Sequence, residues 1–382
     1  KRIKSILNSL EIKIITEKEG VLELEVPAYR IDVTREADII EEILRIYGYN
    51  NIEPDEHVNS TLSYSKSPDR ERVKNSIADM LSGVGFSEIM SNSLNPTNWY
   101  EESKDFDKNS IVKVTNPLSS DLNAMRQTLL FGGLSALSRN VNRQTGDLSM
   151  YEFGTCYFKK GDTTGKHTVD NYTENESLDL FLTGKKRDEN WNHKEEATDF
   201  WLVKSTIEMV LSRLGVDLLK VKNEESTSEY LSEGLQYFDN QRKIAEFGKV
   251  SRRYLELFDL KQDVFYGHLE WDTLFSILGR HSTRFIELPK FPLVRRDLAL
   301  LVDKSIRFNQ IKELAFKNER DILKDVGLFD VYENPTLGIN KKSYAVSFIL
   351  RDDRKTLTEK MIEKVMNNFI RVFEKELGAK IR

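Results

Sequence analysis

The sequence predicts a multidomain α+β protein, and three observations carry that prediction. Its 382 residues leave room for two to three domains at roughly 150 residues each. Segments with apolar residues at helical spacing alternate with segments in which every second residue is apolar. From about Leu288 the pattern reads strand, helix, strand, strand, helix, strand, the order of a ferredoxin-like βαββαβ sheet. A content of 39% hydrophobic and 31% charged residues excludes wholesale disorder, and no apolar run approaches the roughly 20 residues that span a bilayer. Cys156 is the only cysteine, which excludes an internal disulfide and a cysteine-rich zinc site and makes the cytoplasm the expected compartment. The opening KRIKSILNSLEIK has neither an initiator Met nor a signal-peptide core, so the expectation is a piece of a longer chain.

The elements divide into three segments. Residues 1–59 hold a helix-like opening, the alternating Val21–Val26, and a helix from about Arg35 to Tyr47 that Gly48 ends; the polar NIEPDEHVNS then reads as a linker. Residues 60–282 open on Ser67 as a helix cap with Pro68 at the first helical position, followed by Val73, Ile77, Met80, Leu81 and Val84 at helical spacing. Strands are expected near Glu88–Leu94, Leu148–Phe158 and Lys243–Val250, helices near Leu129–Val141 and Phe200–Leu214, and polar loops near 160–178 and 185–197. Residues 288–382 carry the βαββαβ pattern: DLALLVD, FNQIKELAFKN, ILKDVGLFDVY, a turn ENPTLGINKK, SYAVSFILR, LTEKMIEKVMNNFIRVFEKEL and GAKIR.

The net charge of -5 conceals an asymmetry: Lys290–Arg382 holds 20 Lys and Arg against 14 Asp and Glu, net +6, whereas the remainder holds 37 against 48, net -11. A basic module on an acidic body suits contact with a polyanion. Within that module Arg295, Arg296, Lys341, Lys342, Arg351, Arg354 and Lys355 fall around strand ends and turns, interleaved with Phe308, Phe329, Tyr332, Tyr344 and Phe348. Cations neutralise phosphates and exposed rings stack unpaired bases, so an open sheet with this mixture suits single-stranded RNA. Alternation requires that most of these aromatics face the helices instead.

In VPAYRIDVTREADIIEEILRIYGY, Asp38, Glu41 and Glu42 share one helix face while Ile39, Ile40, Ile43, Leu44 and Tyr47 take the opposite one, with Asp32 just upstream. Clustered carboxylates repel, and a hard cation such as Mg2+ relieves them. The alternative is an exposed face on which Arg45 pairs with Glu41 and Glu42 and Asp38 favours the helix N-terminus. Other catalytic signatures are missing. His57, His167, His193, His268 and His281 show no paired metal spacing, Gly132-Gly133 has no Walker lysine, and Cys156 lies in an aromatic-rich strand pattern expected to be buried.

Three ordered blocks carry a resemblance: VPAYRIDVTREADIIEEILRIYGYNNI; MRQTLLFGGLSALSRN with MYEFGTCYF; and FPLVRRDLALLVD with GLFDVYENPTLGINKKSYAVSFILRDDRKTLTEKMI. Together they resemble the bacterial phenylalanyl-tRNA synthetase β-subunit family over nearly the whole chain. The resemblance implies the C-terminal part of that subunit: a winged-helix-like N-terminal piece, a degenerate class II synthetase-like antiparallel sheet module, and a ferredoxin-fold anticodon-binding domain. The family's tRNA-binding and editing domains would lie upstream. It implies Mg2+ shared with the α subunit at Asp32, Asp38, Glu41 and Glu42.

A working class II site clamps ATP with a Phe-Arg-x-Glu arginine and a second arginine after a Gly-rich motif. Here the first place reads Phe158-Lys159-Lys160-Gly161, the second has no counterpart near 231–280, and the family's His-Pro-Gly-Arg-like stretch reads YLSEGLQ. The expectation is a noncatalytic subunit with ATP used by the holoenzyme, in an (αβ)2 heterotetramer that acts on tRNA(Phe) and has no membrane contact. The alternatives are a stand-alone RNA- or partner-binding protein on a synthetase-like scaffold and an independent ATP-using ligase.

Overall fold

The computed structural model describes residues 1–53, 68–101, 103–161, 167–278, 287–334, 337–338 and 340–382. Most of the expected linker, Ser67, His57, His281 and part of the turn at 333–342 lie outside the described residues. The chain divides into two compact units: Lys1–Lys204 with Glu224–Gln236 and Lys243–Phe275, and Ser205–Asn223 with Tyr237–Arg242 and Ser276–Arg382.

The first unit opens on a helix, Arg2–Ser9, whose Ile6 and Leu7 are buried. Lys13–Lys18 and Val21–Glu25 then pair antiparallel through a two-residue turn in which Glu19 and Gly20 both have positive φ, the geometry that matches strand twist. The earlier strand escaped the alternation rule because Ile15 is an extra residue at a register shift between Ile14 and Thr16. The helix Glu36–Tyr47 lays Ile39, Ile43 and Tyr47 on the core of Ile6, Leu7, Leu10 and Ile12. Ile40, expected on that face, is 49% exposed, because at 100° per residue it falls on the flank of the stripe. Gly48 ends the helix at φ +94, a conformation that L side chains rarely adopt.

The helix Arg70–Gly83 is capped by Asp69, whose carboxylate accepts the Glu71 and Arg72 amides at 3.0 and 3.2 Å. The start expected at Ser67-Pro68 is therefore displaced to the residue that satisfies the orphan N–H groups. A seven-stranded sheet follows, in the order Lys222–Glu225, Leu231–Asp239, Arg242–Val250, Val264–Glu270, Tyr172–Thr183, Leu148–Lys159 and Ser87–Glu88. The pairings from Arg242–Val250 to Leu148–Lys159 are antiparallel, and Ser87–Glu88 is parallel.

Two expectations fail in this sheet. The strand near 88–94 is only Ser87–Glu88, with Leu94–Asn95 in a separate pair, because the amide and hydroxyl of Ser91 are taken by the Glu152 carboxylate at 3.1 and 2.9 Å. The loop expected over 160–178 ends at Asn171, since Tyr172–Thr183 pairs along its whole length with Leu148–Lys159. The helix Leu130–Val141 rests on the sheet through Gly132 and Gly133: a Cβ at Gly133 would lie 2.0 Å from Phe181 Cζ, and one at Gly132 2.3 Å from Ser91 Oγ. Close packing, not phosphate binding, explains this glycine pair. The neighbouring Phe131 is ringed by Trp99, Tyr100, Phe106, Tyr254 and Phe258, with centroids 5.2 to 6.2 Å away.

In the second unit Val294–Asp303, Phe308–Asn318, Leu323–Tyr332, Lys341–Leu350, Glu359–Leu377 and Lys380–Ile381 follow the expected order. The strands align as Leu323–Tyr332, Lys341–Leu350, Val294–Asp303 and Lys380–Ile381, all antiparallel. Phe348 of the sheet stacks on Phe369 and Phe373 of the long helix, and both helices contribute to the same core. Truncating a buried Phe of this kind to Ala costs about 3–5 kcal/mol. Register shifts leave Lys324 and Phe329 as extra residues in Leu323–Tyr332.

Candidate functional site

Strand alternation gives the C-terminal sheet two chemically different faces. Leu298, Leu300 and Val302 enter the core, so Arg295, Asp297, Ala299 and Leu301 lie on the face without helices. Opposite Asp297, Ala299 and Leu301 stand Ser347, Ala345 and Ser343, and Gly327 follows beside Ser347. These small side chains make a low floor. Phe329 and Tyr332 rise beside it, 54% and 42% exposed. The Arg295 guanidinium lies 5.0 Å from the Phe329 ring centroid and that of Arg382 5.4 Å from the Tyr332 ring. Arg382 is positioned by its amide, which donates to the Ala299 carbonyl at 3.0 Å.

The seven cations singled out in the sequence do not share this face. Arg295 is on it, with Asp297 at 2.8 Å. Arg296 lies on the helix side, opposite the buried Phe348, and both oxygens of Glu359 accept from it at 2.7 and 3.0 Å. Lys342, opposite the buried Val302, covers the Tyr344 ring at 4.7 Å. Lys341 is 4.0 Å from Asp303 at the sheet end, and Arg351 is held by Asp353 at 2.7 Å. Arg354 and Lys355 are exposed in the loop that follows. Of the five aromatics, Tyr344 and Phe348 are buried and Phe308 packs on the core, so Phe329 and Tyr332 alone are exposed. Sequence reasoning missed Lys380 and Arg382; the alternation of KIR, once paired to Val294–Asp303, was the available signal.

On the acidic helix, Asp38 is turned back toward the N-terminus. Its carboxylate accepts from the Arg35 guanidinium and from the Thr34 and Arg35 amides, which hold its pKa at about 2. Glu42 is bonded by Arg45 at 2.6 Å and Arg30 at 3.0 Å, and these pairings keep its pKa below the usual range. Arg45 therefore pairs with Glu42 but not Glu41. Asp32 and Glu41 are exposed and make no ion pair among the described residues. No group of three or more carboxylates, histidines or cysteines able to hold a metal ion occurs among the described residues. Asp32, Asp38, Glu41 and Glu42 therefore do not form such a group among the described residues.

A third polar array crosses the central sheet. Glu152, Asp179, His268 and Glu246 stand directly opposite one another on four adjacent strands. Glu152 receives Arg126 at 2.7 Å and the Ser91 hydroxyl. Asp179 accepts from Tyr266 and lies 2.7 Å from His268 Nδ1, while Glu270 lies 3.3 Å from Nε2. Burial opposes charge on His268, but the two carboxylates prevail and raise its pKa to about 10. Glu246 is met by Lys243, Gln236, Ser226, Ser228 and Tyr230; these donors outweigh its burial and bring its pKa to about 2. Each cation of the row already faces a carboxylate. Cys156 is buried, and burial pushes its thiol to about 12, so it is no nucleophile.

Residues 54–271 match the family model described as phenylalanyl tRNA synthetase beta chain CLM domain. The chain belongs to the phenylalanyl-tRNA synthetase beta chain family. Residues 1–49 match the tRNA synthetase B5 domain and residues 289–382 the ferredoxin-fold anticodon binding domain. The chain is 42% identical to the phenylalanine-tRNA ligase beta subunit of Bacteroides thetaiotaomicron, an alignment that covers 100% of this chain and 47% of that protein. It is 41% identical to those of Bacteroides fragilis and Porphyromonas gingivalis over the same shares. The chain thus spans about half the length of the curated relatives it matches. The family is the one that the three sequence blocks resemble, and no helix among the described residues is long and apolar enough to cross a membrane.

Proposed function

We propose that this chain is part of the β subunit of a phenylalanine-tRNA ligase and that its C-terminal sheet holds tRNA(Phe) while adenylation with ATP takes place on a companion α subunit. The observation that carries this reading is the open face on which Arg295 and Arg382 lie over Phe329 and Tyr332. Guanidinium groups there can neutralise phosphates and the rings can stack bases, with small side chains between them admitting a strand. Residues 289–382 match an anticodon-binding model, which supports the same assignment.

The noncatalytic role is supported by the central row, in which Arg126, His268 and Lys243 are each matched to carboxylates and none is left to clamp a triphosphate. The central module is a degenerate class II synthetase-like sheet in this reading, residues 1–59 a winged-helix-like piece, and the assembly a cytoplasmic (αβ)2 heterotetramer. Mg2+ at Asp32, Asp38, Glu41 and Glu42 would need oxygen ligands from the companion. Asp32 and Glu41 are the pair with unspent carboxylates.

The test combines aminoacylation and tRNA binding with the full-length subunit. Turnover should require both subunits, and tRNA affinity should fall steeply with salt. Reversing Arg295 and Arg382 to Glu should weaken tRNA binding and flatten the salt dependence. Turnover by this subunit alone would refute the division of labour. Purification without any companion would favour a stand-alone RNA-binding protein.

A further inference from the structure

We propose that the pairs Arg295–Phe329 and Arg382–Tyr332 are two latches that roof the floor of the C-terminal sheet until RNA parts them; this rests on the RNA-binding reading of that face given above. Neighbouring strands lie about 4.8 Å apart. Lys341–Leu350 separates the strands of Arg295 and Phe329, so their backbones stand about 10 Å apart or more. Tyr332 and Arg382 lie at opposite edges of the sheet, about 14 Å apart or more. Contacts of 5.0 and 5.4 Å between guanidinium and ring centroid therefore require both members of each pair to lie down across the sheet. They reach toward each other from opposite sides.

The register shows what lies beneath. Arg295 is opposite Ile349, and Phe329 sits between the partners of Val346 and Ala345, so the first bridge crosses the intervening strand near Ser347. Tyr332 is opposite Ser343, and the Arg382 amide donates to the carbonyl of Ala299, itself opposite Ala345, so the second bridge crosses near Ser343. Those two serines are 9% and 6% exposed, although they point away from the helices. The burial is deepest where the bridges pass: Ala299 and Ala345, smaller side chains on the same floor, are only half-buried.

A cation over a ring in water is a weak bond, which holds each latch shut by a factor of about two to five. Two exchanges open it. A base is a flat ring that can take the guanidinium's place on Phe329 or Tyr332. The freed guanidinium finds a stronger partner in the phosphate that arrives with the base, to which it donates paired N–H groups. Arg295 turns on Asp297, which holds its Nε at 2.8 Å and leaves the terminal nitrogens for that phosphate. A free base or a free phosphate offers only half of the exchange, so the roof favours a polynucleotide over its components.

The experiment makes two measurements on the full-length subunit. Without RNA, Ser347→Cys places a thiol under the first bridge, and the native Cys156 is buried. Maleimide labelling of that thiol, over the background of the unmutated protein, should quicken about two- to fivefold when Arg295→Gln is added. Equal rates with and without Arg295 overturn the roof. With RNA, affinity is compared for the anticodon stem-loop of tRNA(Phe) and for the same stem-loop with uncharged methylphosphonate linkages in its loop. Arg382→Gln should weaken the charged loop and lower its salt slope by about one. The same variant should strengthen the uncharged loop about two- to fivefold, because the Tyr332 ring is uncovered. Weaker binding of both loops overturns the latch in favour of a guanidinium that itself stacks on the base, and unchanged binding of the uncharged loop overturns it as well. If wild type binds neither loop while labelling still responds to Arg295→Gln, the RNA reading of this face has failed and the latch falls with it.

Discussion

The central and C-terminal sheets are both largely antiparallel, and both carry a polar array, yet they use polar groups in opposite ways. In the central sheet the array is buried and closed. Glu152, Asp179, His268 and Glu246 answer one another and their neighbours, and little hydrogen-bonding capacity is left over. In the C-terminal sheet the array is open, with Phe329 and Tyr332 exposed beside Arg295 and Arg382. Charged residues on a sheet therefore say little about ligands until their partners are known. The chemistry available to a ligand is what the fold has not already consumed.

Four expected outcomes would break or sharpen that contrast. The largest is His268→Gln, which strands the buried Asp179 carboxylate and should cost about 3–5 kcal/mol in denaturant unfolding without changing tRNA affinity. Its pH dependence has a definite sign. A histidine whose folded pKa is raised to about 10 stabilises most fully below its ordinary 6.5. The stability gap between wild type and variant should thus be widest at pH 6 and narrow as pH rises through 10. A gap that widens with pH would mean His268 is neutral.

Next, Phe329→Ala or Tyr332→Ala should cost about 1–3 kcal/mol of tRNA binding each, the value of a base stacked on a ring. The melting temperature should stay nearly unchanged because both rings are solvent-facing. Reversal of Arg295 or Arg382 should lower the slope of affinity against salt by about one phosphate contact. Filter binding at several salt concentrations measures both effects. The smallest is Arg296→Ala. Its ion pair with Glu359 is exposed and worth about 0–1 kcal/mol, and its place on the helix side predicts unchanged tRNA affinity. A large loss there would put the RNA on the wrong face in this account.

The C-terminal domain was legible because its elements are short, regular and amphipathic: LTEKMIEKVMNNFIRVFEKEL has helical spacing, and SYAVSFILR reads as a strand. Tyr172–Thr183 was not. Its first half is polar and its second half is a buried run containing Asp179, so no single periodicity covers it. At the candidate sites, residue types were legible and faces were not. Arg295 and Arg296 are adjacent in sequence and opposite in orientation. The pairing of His268 with Asp179 joins residues 89 positions apart, which spacing rules cannot reach. The acidic helix was legible as a cluster, and the pairing of Arg45 with Glu42 as the alternative to a metal, but the hold of Arg35 on Asp38 and of Arg30 on Glu42 was not.

The bulge at Phe329 has an evolutionary corollary. Leu328 pairs with Val346 and Asp330 with Ala345, so the ladder skips the one position that lifts an aromatic ring toward solvent. Exchange of that side chain removes no register partner from the ladder. Selection can thus retune what this surface prefers without renegotiating how the domain folds.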